Sequence, residues 1–147
     1  MKQIITLCFV IMLAGCFPQV NTIEISDAYM FATPKKFPAA AIFMNVSNNT
    51  DVDDRVIGFK TDRAGRAELH TMETKNDIMK MRRVDGYDIA SGDTHTLKPM
   101  ADHIMVFDMV SDFVTGETFD GVVVFERAGE VPVTIHVQSR KSMMAHH

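Results

Sequence analysis

Two histidines and two methionines stand out by type and spacing. His70, Met81, His103 and Met105 form the pattern H-x10-M-x21-H-x-M, carried by ELHTM at 68–72, IMKMRRV at 78–84 and DHIMVFDM at 102–109. Side chains two apart on a strand project to the same face, so His103 and Met105 point together. If 66–73 and 77–84 pair as neighbouring strands, His70 and Met81 approach the same end of the fold. Two imidazoles and two thioethers without a thiolate make a soft donor set. Such a set suits Cu(I), whereas carboxylate-rich sites favour harder ions.

The rest of the chain supplies the strands that must hold these residues. TIEISDAYMF at 22–31 alternates at its start through Ile23 and Ile25. ATPKKFP at 32–38 carries two prolines and two lysines and reads as a loop. AAAIFMNVSN at 39–48 is a buried strand, stopped by the turn cluster Asn48-Asn49-Thr50-Asp51. RVIGFKT at 55–61 is the next strand, with Gly58 a candidate bulge. RAELHTM and IMKMRRV then flank a turn at KND, and DGYDIASGD reads as turn-rich. HTLKPM, DHIMVFDMV, GVVVFER and VPVTIHVQS complete about nine short strands with no amphipathic helix. At 147 residues the chain has room for one domain with its own core. The expected architecture is all-β: a single-domain sandwich with Greek-key connections over residues 22–139.

The first residues read differently. MKQIITLCFVIMLAGC has a basic Lys2, a short apolar run and then Leu13-Ala14-Gly15-Cys16. The run is too short for a permanent membrane span and reads as an export signal over residues 1–15. Leu-Ala-Gly-Cys resembles a bacterial lipobox, which makes Cys16 the acylated residue and 16–21 a lipidated spacer. The expected location is the bacterial cell envelope, facing the periplasm and anchored to a membrane by lipid. Cys8 leaves with the signal, so no disulfide can form within one chain. The formal net charge is −4, and loss of Lys2 makes it more negative, which gives no footprint for nucleic acid.

The spacing of the four residues resembles that of the periplasmic copper chaperone family, the PCuAC domains. AELH, MKMRRVDG, THTLKPMADHIM and the earlier AAAIFMNVSNNTDVDDRVIGF are similar to that family's text, and the likeness covers roughly residues 21–138. The resemblance implies a cupredoxin-like β-sandwich that binds Cu(I) through His70, Met81, His103 and Met105. It implies delivery toward the copper centres of a respiratory cytochrome c oxidase, with an oxidase subunit or another copper chaperone as the partner. Met100 stands in a loop where the family often has a small residue such as glycine, a departure that changes access to the metal.

Single histidines and methionines in a β protein are usually structural. Met30, Met44, Met79 and Met109 fit core or edge packing, and His95 and His136 fit surface or satisfied strand positions. Met72, two residues beyond His70, is the reserve ligand should Met81 prove distant. The tail at 140–147 places Met143, Met144, His146 and His147 together, either as a second copper-gathering segment or as a polar end. A blue-copper centre needs a thiolate, and the region after Cys16 has none. No Ser/His/Asp constellation, HExxH or phosphate loop is visible, so an enzyme is not expected. Copper storage or resistance, and a metal-free structural lipoprotein, are the alternatives to a copper carrier.

Overall fold

The computed structural model describes residues 21–140 apart from Asp77. They fold into ten strands: β1 (Ile23–Phe31), β2 (Ala39–Asn48), β3 (Asp54–Lys60), β4 (Ala64–Lys75), β5 (Ile78–Val84), β6 (Tyr87–Ile89), β7 (Thr94–Leu97), β8 (His103–Met109), β9 (Thr118–Phe125) and β10 (Glu130–Gln138). No α-helix occurs among the described residues. β2 and β5 keep the bounds that composition predicts, while β4 runs longer at both ends. The tenth strand, β6, lies inside the segment expected to be turns. Three residues are too few for alternation to stand out, although Tyr87 and Ile89 are buried on either side of an exposed Asp88.

The strands form one hydrogen-bonded path, β5-β4-β8-β2-β1-β10-β9-β3-β6, with β7 also on β2. β2 is the hub. Its first half pairs with β8 (Ala39 opposite Phe107, Ile42 opposite Ile104) and its second half with β7 (Met44 opposite Leu97), while β1 lines its other edge. The path curls so that inward residues from both halves meet. Met30, Ile42, Val46, Ile104, Val106 and Ile135 show little or no exposure. Burying such side chains stabilises the fold by about 1.5–3 kcal/mol each. The register of β3 against β9 shifts between Val56 and Gly58, where the sequence marks a bulge. Gly86 lets β6 lie against β3, since a Cβ there would stand 2.6 Å from the Val56 carbonyl oxygen.

Asn48 closes the end of β2 from inside and is fully buried. Its amide donates to the carbonyls of Val52 at 2.9 Å and Ile89 at 3.0 Å. Its side-chain oxygen accepts from the Thr50 backbone N–H at 3.1 Å and the Thr50 hydroxyl at 2.6 Å. One side chain thus ties the turn after β2 to the end of β6. Asn48→Ala strands these buried partners, and stability should fall by about 2–4 kcal/mol. Urea denaturation checks this: a midpoint at the native value would mean the network carries no net stability.

Candidate metal centre

Strand register brings the sequence-predicted residues together. His70 of β4 lies opposite His103 of β8, and Glu68 opposite Met105. On the other edge of β4, Met72 lies opposite Met81 of β5 and His70 opposite Arg83. Cross-strand partners share a face, as do residues two apart. His70, Met72, Met81, His103 and Met105 therefore share one face of the β5-β4-β8 segment. Met72, Met81, His103 and Met105 line a largely apolar cleft of about 730 Å³, together with Phe31 and Phe43. His70 sits behind that lining, its ring centre 6.1 Å from that of His103 and 6.3 Å from that of Phe107. The depth is graded: His103 is only 5% exposed, whereas Met81 is 49% exposed.

The hydrogen bonds assign a tautomer to each imidazole. His103 Nδ1 lies 2.8 Å from the Ala101 carbonyl oxygen. A carbonyl only accepts, so Nδ1 carries the proton and Nε2 keeps its lone pair. His70 is the reverse case. Its Nε2 donates to Glu68 Oε2 at 2.9 Å, and its Nδ1 is buried without any hydrogen-bond partner. A buried unpaired nitrogen costs free energy unless something else uses it. Ligand histidines commonly give their second N–H to a carboxylate or a carbonyl, and both versions occur here.

Glu68 stays a carboxylate for identifiable reasons. The hydrogen bond from His70 lowers its pKa most, partial burial opposes this, and the positive charges of Arg66 and Arg83 lower it further. Arg66 donates to Glu68 Oε1 and lies 4.1 Å over the Phe107 ring, and Arg83 is 3.8 Å from Glu68. From beneath, the Tyr87 hydroxyl stands 2.7 Å from the His70 carbonyl oxygen and 2.8 Å from that of His103. Its single proton serves both carbonyls, so β6 clasps the two strands at the histidine pair. Burial, helped by the charge of Asp102, pushes the phenol well above its usual range. His95 stacks on Tyr87 with ring centres 5.2 Å apart and bonds Asp102 at 2.9 Å. It is a satisfied structural histidine.

Sequence reasoning missed Glu68 and Tyr87 as supports of the site. The Glu-x-His spacing on a strand is a signal for the first, because both residues face one way. Nothing local marks Tyr87, whose partners are distant in sequence. Met30, Met44 and Met109 are buried in the core, and Met79 is exposed on β5. Cys16, Met143, Met144, His146 and His147 lie outside the described residues. Among the described residues no three of His, Cys, Asp and Glu gather as a metal site. The soft atoms beside the two imidazoles are thioethers.

A family profile described as "Putative lipoprotein LpqE-like" matches residues 23–137. A curated protein from Leifsonia xyli subsp. xyli, "Putative lipoprotein Lxx21020", is 26% identical over 121 residues, covering 82% of this chain and 72% of that one. Among solved structures, the copper-bound PCuAC domain from PmoF2 is 25% identical, with a TM-score of 0.68 over 80% of this chain and 92% of that domain. The Cu(I) form of DR1885 from Deinococcus radiodurans, at 22% identity, shares the fold with a TM-score of 0.57 over 86% of this chain and 83% of that one. The chain thus belongs to the LpqE-like lipoprotein family, and its cupredoxin-like β-sandwich is that of the PCuAC domains.

Proposed function

We propose that this chain is a Cu(I) carrier of the bacterial cell envelope. His70 Nδ1, His103 Nε2 and the sulfurs of Met81 and Met105 hold the ion, with Met72 in reserve beside Met81. The observation that carries this reading is the pair of opposed tautomers. Glu68 and Ala101 each take one N–H, which leaves two lone pairs beside a thioether-lined cleft. Neutral imidazoles accept either metal, but thioethers favour Cu(I) and add little for zinc, which prefers thiolate, imidazole and carboxylate. None of the four donors carries a charge, so the ion is released more readily than from thiolates. The copper-bound state of the similar PmoF2 domain supports the same reading.

The recipient we propose is a copper centre of a respiratory cytochrome c oxidase, reached directly or through another copper chaperone. Transfer is ligand exchange: the Cu–N and Cu–S bonds to this chain break as bonds to the recipient's donors form, and copper stays Cu(I). The chain acts as a carrier rather than an enzyme. The protein is tethered through acylated Cys16, in keeping with the lipoprotein family it matches and with its Leifsonia relative. Met143, Met144, His146 and His147 would gather further copper at the tail.

The native domain should bind one Cu(I) in competition with a Cu(I) chelator. Met81→Leu/Met105→Leu keeps volume and apolarity, so the fold should persist while affinity falls by about tenfold or more. Equal affinity in both folded proteins would sink the ligand assignment. Loaded protein should surrender copper to an apo oxidase copper domain, whereas a storage protein would retain it. Glu68→Gln keeps shape but weakens the acceptor that fixes His70, and should cost about tenfold in Cu(I) affinity. An unchanged value would make Glu68 a bystander. Native protein should fractionate with membranes and Cys16→Ala should not; a freely soluble native form would rule out the anchor.

A further inference from the structure

The turn before β8 holds a residue that its own backbone disfavours. Met100 has φ 64°, in the left-handed region where a side chain is costly and glycine is not. The residue is also 67% exposed, an apolar group left in water. Neither packing nor conformation accounts for methionine here. The turn is well determined around it: the Ala101 N–H donates to the Lys98 carbonyl at 3.2 Å, and the Lys98 N–H to the Asp102 carbonyl at 2.9 Å. The same turn offers the Ala101 carbonyl to His103. Met100 lines the cleft that holds Met72, Met81, His103 and Met105. Backbone strain of this kind persists where the surroundings enforce it and clusters at functional positions.

We propose that Met100 is an outer thioether station for Cu(I) at the mouth of the cleft. The ion binds its sulfur on the way in and again on the way out, replacing one inner donor at a time. No step then leaves a bare ion, and the soft ligand count is kept during exchange. This rests on the copper reading above and adds the route by which copper moves. Met72, opposite Met81 on the neighbouring strand, lines the same cleft.

The experiment is anaerobic stopped-flow transfer of Cu(I) between the protein and bicinchoninate, in both directions, beside an equilibrium titration. Met100→Leu keeps size and apolarity but removes the sulfur; Met100→Gly removes the sulfur and relieves the backbone. Capture and release should both slow by about tenfold in each variant, because a soft donor is lost from the path. Met79→Leu, on an exposed methionine outside the cleft lining, should transfer at the native rate. Native rates in both Met100 variants, with native protein binding Cu(I), would overturn the outer station and leave the inner site standing. Failure of the native chain to bind Cu(I) at all would overturn both.

Discussion

His70 and His103 are cross-strand partners, and the register of β4 against β8 decides what shares their face. A slip of one residue would turn one imidazole to the opposite side of the sheet. The register is guarded twice. On the core side, Leu69 and Ile104 are opposed and buried, so a slip would expose apolar surface. Beneath the pair, the Tyr87 hydroxyl meets both histidine carbonyls and fits only when the two residues are level. The hydrophobic core and one phenol therefore set the spacing of two nitrogens that neither of them touches.

Rigidity is unevenly distributed around the cleft. β8 is flanked by β4 and β2, and His103 is buried between them. β5 has a single neighbour and lies at the end of the path, with every residue but Val84 exposed. Edge elements with few buried contacts open at lower free energy than central ones. The buried imidazole thus forms a fixed reference, and Met81 rides on the part of the sheet that yields most readily. The charged flank of β5, where Arg82 bonds Glu73 at 2.9 Å, also protects this edge from pairing with another chain.

Much of this was readable before the structure. Alternation and turn residues placed nearly every strand, because half-buried strands must alternate and their ends need turn chemistry. Period two put His103 with Met105, and one assumed hairpin put His70 near Met81. That the two pairs share a face depends on the pairing of β4 with β8, which only the family resemblance implied. Strand β6 was hidden because three residues carry no period, and its importance comes from Tyr87 reaching across the fold. Asn48 read as an ordinary turn residue, yet it joins segments about forty residues apart through Ile89. The tautomers of the two histidines were also invisible. They depend on which acceptor the fold sets beside each ring, Glu68 for one and a backbone carbonyl for the other.

Strand β1 links the two ends of the domain. It starts at Ile23, opposite Asn48, and finishes at Phe31 on the wall of the cleft. Nine residues at about 3.3 Å each put the two ends of the strand roughly 30 Å apart. A surface that grips the chain ahead of β1 consequently holds it by the end remote from the mouth.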